Sequence, residues 1–235
     1  MAFPGAGGVR LEGRLFGRGR SGVVLAHGVW IGGVEGTDSP DQGQVVWFDL
    51  AAALADAGHL ALTYNLPGHC PGGPGGCSRP PASSSSGDAW RHLMAAVAFM
   101  EGRGIERIVL VGADIGAQAV VYAAPRLGAR IDGIVTLSAI AFGFGYDLTE
   151  PLVRRIGGPK LFISGRDDRL STQSPETAEH LYAWASEPMQ LEMLPTERHG
   201  SDLVDHTPVY SNTEPEVVQQ ATDLIVAFLE RPGSA

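Results

Sequence analysis

The sequence predicts an α/β fold in which a mostly parallel sheet carries helices on both faces. Short apolar or β-branched runs alternate with amphipathic helical stretches from about residue 22 to the end of the chain. Some of these runs, such as GVVLA at residues 22–26, are apolar throughout, which is typical of strands buried on both faces. The chain has 235 residues, 44% of them hydrophobic, and can bury one large core. We therefore expect a single domain over residues 1–235.

The elements follow one another in a βαβ order. Residues 9–19 predict an antiparallel hairpin at the edge of the sheet. Residues 67–87 are too rich in Pro, Gly and Ser to pack, and they predict a long loop. This loop could simply be mobile, or, because it follows the end of a strand, have a role at the mouth of a site. Strands are predicted at residues 22–28, 59–66, 107–114, 131–140, 159–165 and 190–196, and helices at residues 47–58, 87–104, 115–127, 175–185 and 214–230.

Charge and composition exclude several classes of function. The formal net charge is -9 and the pI is near 5.2, so nothing attracts nucleic-acid phosphates or an anionic membrane surface. No apolar segment follows a basic start at the N-terminus, and no stretch approaches the roughly 20 apolar residues of a spanning helix. We expect a cytoplasmic protein, a monomer or homodimer, whose partner is a small-molecule substrate and which binds neither nucleic acid nor membrane.

The sequence predicts no metal and no cofactor. It contains no HExxH pattern, no paired His and Cys ligands and no acidic calcium loop. The glycines near residues 72–76 lack the strand-to-helix setting of a phosphate loop, and GADIGA at residues 112–117 does not match G-x-G-x-x-G. Whether Cys70 and Cys77, which flank a flexible loop, pair with each other stays open.

The junction of a strand and a helix at residues 112–116 is the sharpest local feature. It reads Gly112, Ala113, Asp114, Ile115, Gly116. Small residues on both sides of a tight, strained turn let the central side chain stand clear of the sheet. The helix N-terminus also offers unpaired N–H groups to negative charge. Asp114 is therefore the candidate reactive residue, and the alternative is that it is only the N-cap of the helix.

This junction resembles the nucleophile elbow of the α/β-hydrolase family, G-x-S-x-G, with Asp114 in place of serine. VGADIGA at residues 111–117 is similar to the elbow of two branches with aspartate there, the epoxide hydrolases and the haloalkane dehalogenases. The resemblance implies an α/β-hydrolase fold and an alkyl-enzyme ester. A carboxylate is a poor nucleophile toward an ordinary ester, because the resulting anhydride collapses back. It suits displacement at a saturated carbon that bears an epoxide oxygen or a halide.

The resemblance also implies an oxyanion hole. In the family, the residue after a His-Gly turn like His27-Gly28 supplies one backbone donor, and the residue after the nucleophile supplies the other. The N–H groups of Val29 and Ile115 are the candidates. They would stabilise the oxyanion that forms when water attacks the Asp114 ester.

A carboxylate and a histidine complete the candidate triad. ISGRDD ends a strand at the place where the family keeps the acid that orients the histidine, and Asp168 fits that spacing better than Asp167. His199, in LPTERHG, would be the base that activates water, and the order Asp114, Asp168, His199 is that of the family. Other histidines have weaker positions: His59, His92 and His180 are expected at the surface, and His69 and His206 in loops.

The resemblance weakens where the two aspartate branches carry a helical cap. Residues 141–158 leave room for little more than a turn or two of helix, so no large cap is expected. Ile115 stands where dehalogenases have Trp, which argues against halide chemistry, although Trp30 could partly replace that indole. For an epoxide, Tyr146 or Tyr64 could donate a proton to the leaving oxygen. Apolar candidates for a substrate-binding wall are Trp30, Phe142, Phe144 and Tyr146, all of which could also be ordinary packing residues.

Three hypotheses about function follow. The length, the missing cap and HGSDL at residues 199–203 look more like small dienelactone hydrolases and esterases, whereas the elbow has aspartate. The protein could open an epoxide through an Asp114 ester, or use Asp114 as a general acid or base in a lyase, cyclase or isomerase. It could also be a binding protein that has lost its serine. If Asp114 replaces an ancestral serine, ester or lactone hydrolysis is the original activity.

Overall fold

The computed structural model describes residues 1–28, 43–69, 78, 86–207 and 213–230. Val29, Trp30, Cys70 and Cys77, which the sequence singled out, lie outside this part of the chain. The strands are β1 Ala2–Pro4, β2 Arg10–Gly17, β3 Ser21–Ala26, β4 Leu60–Tyr64, β5 Arg107–Ala113, β6 Gly133–Leu137, β7 Phe142–Gly143, β8 Tyr146–Asp147, β9 Lys160–Gly165 and β10 Met189–Leu194. The helices are α1 Phe48–Asp56, α2 Ala89–Glu101, α3 Ile115–Leu127, α4 Glu150–Val153, α5 Gln173–Trp184 and α6 Pro215–Glu230.

Eight strands form one sheet in the order β1-β2-β4-β3-β5-β6-β9-β10. Every neighbouring pair from β4 to β10 along this order is parallel. The antiparallel pairs are β1 with β2 and β2 with β4. The predicted mostly parallel sheet is confirmed.

The predicted hairpin at residues 9–19 is wrong. This segment is the single strand β2, and Gly13, in its middle, pairs with Tyr64 of β4 instead of turning. The antiparallel partner at the edge is β1, which is only three residues long. The chain therefore turns before residue 10, because Gly7 and Gly8 adopt the positive φ angles that a tight turn between β1 and β2 requires.

Helices cover both faces because side chains along each buried strand alternate between them. On one face, Val24, Leu110 and Ile134 pack in a core cluster with residues of α2 and α3. On the other face, Val23 and Val135 pack in a second cluster with residues of α1 and α6. Both sets are buried, which explains why these strands are apolar throughout.

The connection between β6 and β9 contains a two-stranded hairpin, β7 and β8, and the one-turn helix α4. In the hairpin, Phe142 pairs with Asp147 and Gly143 with Tyr146. Gln118 of α3 donates hydrogen bonds through Nε2 to backbone carbonyls of this connection. The connection between β6 and β9 therefore packs over the start of α3. Within the described residues, no helix has the length and apolar content needed to cross a membrane.

Candidate active site

Asp114 occupies the junction between β5 and α3 with a φ of 53° and a ψ of -120°. A positive φ is strained for a residue with a side chain and persists only when its surroundings hold it. Here the Asp114 N–H donates to the carbonyl oxygen of Leu137 at 3.0 Å. The Asp114 carbonyl oxygen accepts from the N–H groups of Ala117 and Gln118 at 3.0 and 3.1 Å. The sheet and the helix together fix this conformation.

The two glycines of the junction allow β3, β5 and α3 to approach one another closely. A Cβ atom on Gly116 would overlap the carbonyl group of Ala26 at the end of β3. A Cβ atom on Gly112 would overlap the backbone of Gly116 itself. From the sequence, these glycines were expected to allow the tight turn, and in the structure they also bring the N-terminus of α3 against β3.

The side chain of Asp114 does not cap α3, because it makes no capping hydrogen bond. It is 23% exposed and faces two glycines, each from one of the His-Gly pairs. A Cβ atom on Gly28 would lie 2.6 Å from Asp114 Oδ2, and one on Gly200 would lie 3.6 Å from Asp114 Cβ. The role of these glycines beside the carboxylate was missed from the sequence, although the repeated His-Gly pair was a visible signal.

Asp168 binds one nitrogen of the His199 ring. Its Oδ2 lies 2.6 Å from Nδ1 of His199, and its Oδ1 accepts hydrogen bonds at 3.0 Å from the N–H groups of Leu170 and Ser171. The Asp168 side chain is fully buried, whereas Asp167 is exposed. Of the two carboxylates that the sequence offered, the structure brings Asp168 to His199. The Nδ1 atom is therefore the protonated donor of this pair.

His199 lies between two carboxylates. Its Nε2 is 3.7 Å from Asp114 Oδ1, too far for a hydrogen bond but close enough for an ion pair. Burial alone lowers the pKa of His199, but Asp114 and Asp168 outweigh it and raise the pKa to about 9. At neutral pH the ring is therefore an imidazolium, and its second proton is on Nε2, facing Asp114.

The loop that carries His199 is tied down by a buried arginine. Arg198 is 1% exposed, and its guanidinium donates to the carbonyl oxygens of Asp205 at 2.9 Å and Glu214 at 3.3 Å. These acceptors lie on either side of residues 208–212, so one side chain joins the histidine loop to both ends of that segment. No sequence pattern pointed to Arg198, because a surface arginine would look the same.

Ile115 begins α3, and among the described residues its N–H has no hydrogen-bond acceptor. Such an N–H at a helix N-terminus is available to an oxyanion, as expected for the first donor. The second expected donor, Val29, lies outside the described residues. The side chain of Ile115 points away from the site, since it is fully buried in the core cluster with α2 and α3.

The other expected substrate-binding residues are more scattered. Trp30 lies outside the described part of the chain. Phe142 is 62% exposed on the hairpin and Phe144 is 39% exposed at its turn, where it adopts a φ of 52°. Tyr146 is buried, with its ring edge-on to Tyr122 and its hydroxyl accepting a hydrogen bond from the Trp90 N–H at 3.2 Å.

The remaining histidines are not all at the surface. His59 and His92 are buried, with 7% and 3% exposure, so the expectation that they lie at the surface is wrong. Each occupies a packing position: His59 Nδ1 pairs with Ser21 Oγ, and His92 Nδ1 accepts from the Ala6 N–H. Amphipathic patterning does not distinguish a buried histidine from an exposed one. Within the described residues, no group of three or more His, Cys, Asp and Glu side chains is placed to hold a metal ion.

A family model for the alpha/beta hydrolase family matches residues 23–230. A comparison with curated protein sequences finds no match. Solved structures with similar folds include hydrolases of several kinds, and all of those named below share less than a fifth of their residues with this chain. At such low identity the likeness shows the fold alone.

Three of these structures are similar over nearly the whole chain. An esterase from Pyrococcus furiosus has a TM-score of 0.72 at 14% identity and covers 100% of this chain and 92% of its own. An enol-lactonase from Burkholderia xenovorans has a TM-score of 0.71 at 16% identity, with coverages of 97% and 100%. A meta-cleavage product hydrolase from Pseudomonas fluorescens has a TM-score of 0.70 at 15% identity, with coverages of 97% and 96%.

Gly116→Ala tests the close approach at the junction. Because the added methyl group overlaps the Ala26 carbonyl, we expect the free energy of unfolding to fall by about 1–3 kcal/mol. The matched control is Gly102→Ala, since Gly102 has a helical φ of -62° and an added Cβ atom there would meet nothing closer than 3.4 Å. Urea unfolding measures both, and equal stabilities would contradict the packing described for α3.

The electrostatic coupling of His199 to Asp114 can be measured by NMR titration of the imidazole. We expect the ring to lose its proton as the pH rises through about 9 in the unmodified protein. In Asp114→Asn one carboxylate is gone, so the pKa of His199 should fall by about one to three pH units. An unchanged titration in this variant would show that Asp114 does not act on the imidazole.

Proposed function

Because the family model covers residues 23–230, this chain belongs to the alpha/beta hydrolase family, and we propose that it hydrolyses an epoxide-type electrophile through an ester of Asp114. The observation that carries this proposal is a carboxylate at the elbow that faces a histidine. Asp114 Oδ1 is 3.7 Å from His199 Nε2, while Asp168 holds Nδ1 of the same ring. A nucleophile, a base and a group that orients the base are the parts that covalent catalysis requires.

The chemistry of a carboxylate favours attack at a saturated carbon. Asp114 Oδ1 would form a bond to a ring carbon of the epoxide while the bond from that carbon to the ring oxygen breaks, and a proton from solvent would neutralise the oxygen that is released. The product is an ordinary alkyl ester, which is stable enough to persist until water hydrolyses it. Attack on a carboxylic ester would instead give an anhydride, which returns to the starting ester.

The second half of the reaction releases the diol. Esterification of Asp114 removes one of the two negative charges beside His199 and lowers the pKa of the ring, so the imidazolium can lose its proton to solvent. The neutral ring would then take a proton from water as the water oxygen adds to Cγ of Asp114. The oxyanion on Asp114 would be stabilised by the Ile115 N–H and the N-terminus of α3, with Val29 as the proposed second donor. Collapse breaks the ester bond, and the proton of the new Asp114 carboxyl group moves to the departing diol oxygen. Asp114 is then a carboxylate again, and His199 is an imidazolium.

Dehalogenation has less support than epoxide opening. In a dehalogenation, a side chain beside the nucleophile would have to stabilise the departing halide. The residue directly after Asp114 is Ile115, whose side chain is fully buried in the core and has no polar hydrogen to offer. An epoxide oxygen stays attached to the substrate and needs a proton instead.

A second candidate function uses Asp114 and His199 as a proton-transfer pair in a lyase, cyclase or isomerase. The observation that favours it is the position of the two tyrosines expected to protonate an epoxide. Tyr64 is fully buried in the core, and the Tyr146 hydroxyl lies at the N-terminus of α2. In this alternative, Asp114 never forms a bond to the substrate.

Isotope labelling in a single turnover distinguishes these two functions. The unmodified protein, in excess over an epoxide found by screening aryl and alkyl epoxides for turnover, reacts once in water enriched in oxygen-18. We expect the heavy oxygen in the carboxylate of Asp114 and not in the diol, because water attacks the ester carbonyl. Peptide mass spectrometry measures the protein and gas chromatography with mass detection measures the diol. Heavy oxygen in the diol alone would rule out the ester, and an isomeric product with heavy oxygen in neither the protein nor the product would favour the proton-transfer function.

Asp114→Ser tests whether the site descends from an esterase. A serine at this junction would lie close to His199 and to the Ile115 N–H, which are the partners that acyl transfer requires. We expect Asp114→Ser to hydrolyse p-nitrophenyl butyrate about a hundredfold faster than the control Asp114→Ala. Equal rates in the two variants would count against a former serine hydrolase.

A further inference from the structure

The acid loop, residues 165–171, and the histidine loop, residues 195–200, are joined by their backbones. Three N–H groups of the acid loop donate hydrogen bonds to carbonyl oxygens at the end of β10 and in the histidine loop: Arg166 to Leu194 at 2.8 Å, Asp167 to Thr196 at 3.1 Å and Arg169 to Glu197 at 3.2 Å. These bonds do not depend on which side chains the loops carry. The two loops therefore form one unit, the acid–histidine unit, which contains the pair of Asp168 and His199.

The contact of this unit with Asp114 is looser. A distance of 3.7 Å between His199 Nε2 and Asp114 Oδ1 is too long for a hydrogen bond. Gly200 packs against Asp114, since a Cβ atom on Gly200 would lie 3.6 Å from Asp114 Cβ, but a van der Waals contact does not fix a direction. Other contacts of the acid–histidine unit must therefore set the separation of the imidazole and this carboxylate.

Arg198, directly before the histidine, connects the unit to the start of α6. Its guanidinium donates to the carbonyl oxygens of Asp205 and Glu214. The Glu214 carbonyl oxygen also accepts from the N–H groups of Val217 and Val218 at 3.0 and 3.1 Å, so it takes part in the first turn of the helix. One side chain therefore joins the histidine loop to the N-terminus of α6.

The groups that Arg198 binds are fixed relative to the strand that carries the elbow. Ile225 of α6 packs in one buried cluster with Ala113, the last residue of β5. Val204, directly before Asp205, belongs to the same cluster. Because a close-packed core deforms little, both carbonyl groups keep their positions relative to β5.

Arg198 is buried without a carboxylate partner. Its side chain is 1% exposed, and among the described residues it forms no ion pair and its Nε has no hydrogen-bond acceptor. A buried charge that lacks an ionic partner is costly compared with an apolar side chain of similar volume. The hydrogen bonds from one planar guanidinium to two separate carbonyl groups are what arginine supplies at this position.

We propose that Arg198 is a positioning residue that sets the distance between His199 Nε2 and the carboxylate of Asp114. It does so by binding the acid–histidine unit to α6 and to the segment before it. The inference rests on the proposed partnership of Asp114 and His199, and it applies to ester formation and to proton transfer alike. Without the arginine, the unit should keep its internal pair, Asp168 with His199, and lose its fixed distance to Asp114.

NMR titration of the His199 imidazole tests this proposal without any substrate, with the resonance assigned by its loss in His199→Gln. The pKa of His199 is measured in the unmodified protein and in Asp114→Asn, and the difference is the coupling of the ring to that carboxylate. The same difference is then measured with Arg198→Met present in both proteins. Comparing two differences cancels the direct effect of the lost arginine charge on the ring.

We expect a coupling of about one to three pH units with Arg198 in place, and less than about half of it in Arg198→Met. Coulomb energy falls with distance, and water that enters the gap screens it further. The resonance of the Nδ1 proton bound to Asp168 should remain visible in Arg198→Met. Arg198→Lys keeps a positive charge with fewer donors, so its coupling should be intermediate.

The matched control is Arg169→Met. Arg169 belongs to the same unit, but its side chain is 75% exposed and pairs with Glu197 at the surface, so the coupling should not change. Equal couplings in Arg198→Met and in this control would overturn the proposal. Loss of the Nδ1 resonance together with the coupling would also overturn it, because Arg198 would then maintain the whole loop. If Arg198→Met does not fold, an unchanged coupling in Arg198→Lys has the same consequence.

Thr196 makes a second connection between the unit and α6. Its hydroxyl donates to Glu214 Oε2 at 2.7 Å and accepts from the Arg198 N–H at 3.2 Å. We expect Thr196→Val to reduce the coupling less than Arg198→Met, and a larger reduction would assign the positioning role to Thr196 instead. A coupling that is absent even with Arg198 and Thr196 in place would refute the partnership of Asp114 and His199, and with it the proposed function.

Discussion

The backbone of Asp114, held at a positive φ between β5 and α3, is the constraint on which the site depends. Two features make this conformation possible. The Asp114 N–H donates a hydrogen bond to the carbonyl oxygen of Leu137, and Gly116 has no side chain, which lets α3 approach β3. Strain of this kind is stored only where a packed core over-determines the backbone. The sheet and α3 therefore serve to hold one carboxylate clear of the helix that follows it.

The charges of the site form a second, coupled constraint. Asp114 and Asp168 are both acidic, and a single histidine lies between them. Two carboxylates so close to one ring would repel each other if the ring were neutral, so the proton on His199 stabilises the resting arrangement. An aspartate at this position, which we propose to be the nucleophile, thus differs from a serine, because its charge raises the pKa of His199. Esterification of Asp114 would remove that charge.

Much of the fold could be predicted from the sequence. The alternation of apolar runs with amphipathic stretches follows from burial of a parallel sheet on both faces. The predicted order of strands and helices is confirmed from β3 to α6 except for the small hairpin of β7 and β8, which was not predicted. The resemblance to the α/β-hydrolase family is confirmed by the match over residues 23–230. The prediction of an N-terminal hairpin was wrong. Glycine is common in turns, and only the pairing of Gly13 with Tyr64 shows that Gly13 lies within a strand.

Asp114 was singled out by its strand-to-helix junction, and Asp168 and His199 by the resemblance to the α/β-hydrolase family. Each of the three follows the end of a strand, and such ends meet at one edge of a parallel sheet. Distances, burial and charge state came from tertiary contacts between residues far apart in the chain. Asp168 differs from its neighbour Asp167 only in being buried beside His199, and a tyrosine expected to be a proton donor, Tyr146, packs instead against Tyr122. The local sequence pattern determines which residues end a strand. The direction of a side chain depends instead on how elements far apart in the sequence pack together, and the local pattern contains no information about that packing.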